Sequence, residues 1–146
     1  MNATVYKRPE SVLVLVYTQA QEFLLMQRVR PASFWQSVTG AMAWDETDPE
    51  ITAYRELAEE TGISASAGSI INCHTSQQFP IKAAWRHRYP PDVKFNTEHV
   101  FRLKLPERLP IVLNPAEHIE YLWLSREQAL AKVTSYTNRD AILALT

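Results

Sequence analysis

GAMAWDETDPEITAYRELAEETGI, residues 40–63, contains a helix whose start, stop and charged face can be read from the residues themselves. Asp48 followed by Pro49 is a helix start: an N-cap oxygen acceptor, then a proline whose fixed φ suits the first helical position. Gly62 after Thr61 is a stop, because glycine takes the left-handed C-terminal conformation at no steric cost. A helix is therefore expected over 49–61. At about 100° per residue, Ile51, Tyr54, Leu57, Ala58 and Thr61 fall within one arc, and Glu56, Glu59 and Glu60 fall within the opposite one. The first arc is expected to pack on the domain and the second to present three carboxylates. Like charges three and four residues apart destabilise a helix by about 0.2–0.5 kcal/mol per pair. A hard divalent cation would offset that repulsion, since oxygen ligands at this density suit Mg²⁺ or Mn²⁺. Arg55 would offset part of it, and a solvated acidic face would need no cation. Upstream, Gly40 ends an extended piece, so its carbonyl can point at a cation with no side chain in the way. Glu46 follows as a further carboxylate.

Outward from this helix the chain alternates strand-like and loop-like segments. SVLVLVY (11–17) and FLLMQR (23–28) read as a hairpin, and FWQSVTG (34–40) as a third short extended piece. IINCHTSQQF (70–79) is another strand, followed by an irregular stretch holding Pro80, Pro90 and Pro91. In EHVFRLKL (98–105), alternation sets Val100 apart from Phe101, Leu103 and Leu105; residues 121–124 form one more strand. Ser125 and Gln128 make a capping box that opens the helix REQALAKV. A last short helix is expected after Thr137. Strands mixed with two or three helices, without regular βαβ alternation, indicate an α+β or layered α/β domain. With 146 residues and no repeat or linker-like stretch, one domain over 1–146 is expected.

Composition narrows the function. A formal net charge of −1 argues against a generic nucleic-acid or membrane-surface binder, which would carry a basic excess. The single cysteine, Cys73, rules out an internal disulfide, fits a reducing compartment and is too little for a thiolate zinc site. The N-terminal MNATVYKRPE has no apolar signal core, and no apolar run approaches the ~20 residues that span a bilayer. A cytoplasmic protein with neither nucleic acid nor membrane as partner is expected. His74, His99 and His118 form no His-x-His or i,i+4 pair and read as structural.

The 40–63 stretch resembles the Nudix box, G-x5-E-x7-R-E-U-x-E-E-x-G-U with U apolar. Gly40, Glu46, Arg55, Glu56, Leu57, Glu59, Glu60, Gly62 and Ile63 match. In one departure, eight residues rather than seven separate Glu46 from Arg55. Pro49 keeps its usual distance to Arg55, which places the extra residue at Thr47 or Asp48, in the loop; the helix should survive, and it is the position of Glu46 that the departure puts in question. The resemblance implies an α/β/α sandwich on a mixed sheet, with the box as loop–helix–loop. It also implies Mg²⁺-dependent hydrolysis of a diphosphate linkage. The Gly40 carbonyl and Glu56, Glu59 and Glu60 would hold Mg²⁺ (Mn²⁺ in its place), which neutralises phosphate charge and acidifies an attacking water. Arg55 would orient the glutamates.

Beyond the box, VYKRPESVLV, FWQSVTG, RHRYPPDV, NTEHVFRLKLP, EHIEYLWL and SYTNRDAI are similar to one branch of that family, which acts on dihydroneopterin triphosphate in folate biosynthesis. Position by position, this implies substrate contacts from Lys7, Arg28, Thr39 and Ser135, and a further metal-linked carboxylate at Glu117. Lys7 and Arg28 suit a triphosphate as charge-assisted donors; the Thr39 and Ser135 hydroxyls suit a polar ring or a phosphate. Ordinary strand-end chemistry is the other reading of each. Trp85-Arg86-His87-Arg88-Tyr89 either closes over the ligand or packs as a loop with solvated arginines. The branch contacts its ligand at 79–82, where this chain reads FPIK. The expected reaction is hydrolysis of dihydroneopterin triphosphate to the monophosphate and pyrophosphate. The alternatives are hydrolysis of nucleoside triphosphates or other nucleoside diphosphate derivatives, and, in a different class, a non-catalytic nucleotide-sensing module, against which the retained Glu56, Glu59 and Glu60 speak.

Overall fold

In the computed structural model, which describes residues 5–145, the apolar run 11–17 lies inside a seven-stranded mixed sheet. This strand, β1 (Glu10–Thr18), is buried nearly throughout, as a strand covered on both faces must be. It pairs in parallel with β6 (Phe95–Leu105) along its length. On its other side it pairs antiparallel with β4 (Val38–Ala41) over Ser11–Val14.

The hairpin of β1 with β2 (Glu22–Arg28) forms only near the turn, where Tyr17 faces Phe23. Beyond it, β2 pairs with β3 (Trp35–Gln36) and β7 (His118–Ser125), and β4 takes its place beside β1. The segment FWQSVTG is accordingly two short strands, not one. The break falls at the buried Ser37, whose N–H donates to Asn138 Oδ1 at 2.8 Å while Asn138 Nδ2 donates to Ser37 Oγ at 3.0 Å. A side-chain amide thus replaces a neighbouring strand there. On the far side, β5 (Ile71–Pro80) pairs antiparallel with β6, with an irregularity between Asn72 and Thr75. His74, in that irregularity, takes a φ of 53°.

Alternate residues of β1 feed two cores. Val12, Val14 and Val16 pack with Phe101, Leu103 and Leu105 beneath Ala53 and Leu57 of α1 (Pro49–Thr61). Leu13, Leu15 and Tyr17 pack with Val100 beneath Ala129 of α2 (Arg126–Lys132) and Ile142 of α3 (Tyr136–Ala144). The expected offset of Val100 from Phe101, Leu103 and Leu105 is this division, and the layers are those of the expected α/β/α sandwich. The Ser125–Gln128 capping box closes with both hydrogen bonds. The last helix begins before Thr137: Ser135 is its N-cap and accepts from the Asn138 N–H. No helix among the described residues is long and apolar enough to cross a membrane.

α1 has the expected ends. Asp48 Oδ1 accepts from the Glu50 N–H at 2.9 Å, and Gly62 at φ 75° donates to the Ala58 carbonyl. Its faces differ from expectation. Ile51 and Ala58 are exposed, whereas Glu56 and Glu60 are buried together with Thr52, Ala53 and Leu57; of the three glutamates only Glu59 faces solvent. The helix rests on the sheet along Ala53 and Leu57, and that places positions 56 and 60 over β4. Asp48→Ala should cost about 1 kcal/mol of unfolding free energy, the usual loss for an N-cap side chain. Urea denaturation measures it, and an unchanged midpoint would mean the cap does not hold the helix start.

Candidate active site

Glu56 and Glu60 stand one turn apart on α1 and face β4. Room for them comes from Gly40: a Cβ built there would overlap the Glu56 carboxyl carbon. The absent side chain at Gly40 is therefore already used by the protein, beyond the exposed carbonyl expected of it. Glu60 Oε1 accepts from the Thr39 N–H at 3.2 Å, which ties the helix to the strand a second time.

Arg55 binds the acidic groups together. Its Nε and Nη2 donate to the two Glu46 oxygens at 3.0 and 2.8 Å. Nη1 donates to Glu56 Oε1 at 2.9 Å and lies 3.3 Å from Glu59 Oε2, and Nη2 also donates to the Ala41 carbonyl at 3.0 Å. The guanidinium lines neither cavity described below. Glu46 reaches Arg55 despite the extra residue. The Ala43 N–H also donates to Glu46 at 2.7 Å. Bonding to Arg55 holds the Glu46 carboxyl down at about 2, so it is ionised at neutral pH.

Glu56 and Glu60 behave in the opposite way. Burial pushes Glu56 up to about 7 against the pull of Arg55, with repulsion from Glu59 adding to the shift. Burial, reinforced by Glu56, raises Glu60 well above the carboxylate range. Glu117 adds to both, and ligating atoms of Glu60, Glu117 and His118 all lie within 4.8 Å of one another. His118, expected to be merely structural, thus stands at the carboxylate cluster. Burial lowers it to about 4, so its ring is neutral, with Nε2 at 3.2 Å from Gln36 Nε2. A positive charge brought to buried carboxyls favours their ionised form. The oxygen donors of Glu56, Glu60 and Glu117 suit a hard divalent cation, so the residues present fit one.

The first of two adjoining cavities opens on this cluster. It has a volume of about 690 Å³, with Glu56, Glu60 and Glu117 on its wall. The other, of about 390 Å³, runs to the aromatic rings of Phe34, Trp85 and Tyr89. Lys7, Arg28, Thr39 and Gly40 line both. The Arg28 guanidinium lies 5.6 Å from the Phe34 ring and 5.9 Å from the Trp85 ring, within cation–π reach. Lys7 lies 5.9 Å from the Tyr89 ring, and burial lowers its pKa. Three of the four expected substrate residues thus stand between the cavities. Ser135 lines only the smaller one, and its hydroxyl is engaged in capping α3 and in a 2.9 Å bond with Thr137 Oγ1. The WRHRY segment divides: Trp85, Arg88 and Tyr89 line the cavity, while Arg86 and His87 do not. All four residues of FPIK line the same cavity.

The sequence reading passed over Asn96 and Glu98, both buried in the wall of the smaller cavity. The signal was present, because period-two alternation puts Asn96 and Glu98 on the same face of β6 as the inward Val100.

A buried acidic cluster beside a cation-lined cavity, on a helix fastened to a mixed sheet, is the arrangement of a phosphoanhydride hydrolase. The NUDIX domain model matches residues 7–145, and the chain belongs to the Nudix family, whose hydrolases cut diphosphate linkages. It is 43% identical over 145 residues to the dihydroneopterin triphosphate diphosphatase of Escherichia coli (strain K12), covering 97% of this chain and 95% of that protein. It is 37% identical over 140 residues to the protein of the same name from Haemophilus influenzae, covering 94% and 87%. The solved structure of the E. coli dihydroneopterin triphosphate pyrophosphohydrolase matches with a TM-score of 0.87 at 42% identity, covering 97% of each chain.

Gly40→Ala should swing the Glu56 carboxylate out of its place while leaving the fold intact, because the Cβ meets the end of a flexible side chain. Turnover should fall about a hundredfold or more, the scale of a misplaced reacting group, with a melting temperature close to the parent's. Unchanged turnover would mean that the position of Glu56 is immaterial.

Proposed function

We propose that this Nudix hydrolase converts dihydroneopterin triphosphate to dihydroneopterin monophosphate and pyrophosphate, with Mg²⁺ held by Glu56, Glu60 and Glu117 and assisted by Glu59 and the Gly40 carbonyl. The observation that carries the reading is the junction of the two cavities: a carboxylate-lined space for a metal-bound phosphate chain opens, past Lys7 and Arg28, into an aromatic-walled space for a ring. The likeness to diphosphatases acting on that compound supports the substrate. Mn²⁺ suits the same oxygen donors.

Each residue then has a task. Lys7 and Arg28 hold the triphosphate as charge-assisted donors and orient it towards the glutamates. Arg55 keeps Glu46, Glu56 and β4 in one arrangement, and the Thr39 N–H holds Glu60. Phe34 and Trp85 flank the ring. Thr39 and Ser135 line the aromatic-walled space and would offer the ring their hydroxyls, Ser135 with its cap bond already made. The cation, when bound, neutralises phosphate charge and acidifies the water that attacks phosphorus. We take the chain as one Nudix domain, with its substrate a small-molecule triphosphate. The lone thiol, Cys73, accords with a reducing compartment, and the cytoplasm is the proposed place of action.

The test is pyrophosphate release with Mg²⁺ from dihydroneopterin triphosphate beside the common nucleoside triphosphates. The expected result is a kcat/KM for the pterin about tenfold or more above each nucleotide, the scale on which contacts to a ring's polar groups discriminate. Equal or better turnover of nucleotides would reject the substrate, and no turnover by folded protein would reject catalysis.

A further inference from the structure

Glu98 takes no part in the carboxylate cluster, yet it is only 5% exposed. It lies in the wall of the smaller cavity, and its Oε1 has no hydrogen-bond partner among the described residues. Burial pushes this carboxyl up to about 7. The polar groups around it are already engaged: Asn96 Nδ2 donates to Ser11 Oγ at 2.8 Å, and Gln77 Nε2 donates to the Thr137 carbonyl at 3.1 Å. The Thr137 side chain bonds to the carboxyl, which leaves Oε1 as its one buried oxygen without a partner. Such an oxygen costs free energy, and the residue lines space that a ligand can fill.

Strand register gives its distance from the phosphate end. Ala41 pairs with Ser11, Ser11 with Glu98, and Glu98 with Gln77, so the four form one row across β4, β1, β6 and β5. With strands about 4.8 Å apart, Glu98 stands roughly 10 Å along that row from Ala41. Ala41 lines both cavities.

We propose that Glu98 determines specificity for the substrate's ring, its carboxylate accepting from the ring N–H and the amino group of a 2-amino-4-oxo pyrimidine edge. This rests on the pterin reading for the natural substrate; the edge itself is common to pterins and guanine. Two parallel N–H donors match two carboxylate oxygens. Each oxygen has two lone pairs, so the one bonded to the Thr137 side chain can still accept a second bond. In a pterin the donor pair lies diagonally across the bicycle from the carbon that carries the phosphorylated side chain. With the triphosphate at Lys7 and Arg28, the pair points away from the cluster and towards Glu98. An adenine edge offers a ring lone pair beside its amino group, and the carboxylate repels it.

The test compares kcat/KM on dihydroneopterin triphosphate, GTP and ATP, with Mg²⁺, for the parent, Glu98→Gln and Glu98→Asp, each with a thermal melt. Gln keeps the shape and turns one acceptor into a donor. The expected result for Glu98→Gln is a loss of about tenfold or more on the pterin and on GTP, mostly in KM, with ATP little changed. Asp, which retains both acceptors, should fall between. An equal loss on all three substrates, or no loss on the pterin and GTP, overturns the assignment. Should Glu98→Gln not fold, the same contrast in Glu98→Asp decides. A parent enzyme that prefers ordinary nucleotides would reject the pterin reading alone, and the GTP-to-ATP ratio would still judge Glu98.

Discussion

Glu56 and Glu60 are buried against β4, and the rest of the site is organised around the cost of keeping them there. Two acids one helical turn apart, withdrawn from water, resist ionisation and repel each other once ionised. The protein meets this with Arg55, which pairs with Glu56, and with the Thr39 N–H on Glu60. Gly40 contributes space. These contacts fix where the oxygens stand but do not offset the full cost of ionising the buried acids, because Arg55 is shared with Glu46 and Glu59. A cation brought to the cluster would meet that cost.

The sheet connects that site to the ring cavity. β1 carries alternate residues to opposite faces, so α1 and its acids are supported from one side while Ser11 and Leu13 floor the smaller cavity on the other. β4 belongs to both: Gly40 accommodates Glu56, and its neighbours Thr39 and Ala41 line the cavities. A four-residue strand thus joins phosphate chemistry to ring recognition, and its separation from β3 depends on the exchange of bonds between Ser37 and Asn138.

How much of this could be read in the chain followed the range of the interaction. The ends of α1 were legible, because Asp48, Pro49 and Gly62 act on their immediate neighbours. The box motif likewise singled out Arg55, which bonds to Glu46 and Glu56. The face of α1 was not legible in the same way. Periodicity shows which residues share a side, and the exposed Ile51 and buried Glu60 run against the assumption that acids face water. The division of FWQSVTG depends on Asn138, a hundred residues away. His118 reads as an isolated histidine until β7 brings it to Glu60. Glu98 sits in a strand whose alternation was recognised, but only the assembled cavity shows that its inward side chain faces a ligand space.

The central claim is that the buried acids are a cation site, and Mn²⁺ binding as a function of pH tests it most directly. Below about 7 the Glu56 carboxyl holds its proton, and burial favours the neutral form of Glu60 as well. A cation must displace these protons, so affinity should rise as pH is raised through that range. Followed by calorimetry or electron paramagnetic resonance, binding near pH 8 should be stronger than near pH 6 by about tenfold or more, and Glu60→Gln should weaken it at both. Equal affinity at the two pH values, retained in Glu60→Gln, would contradict the account.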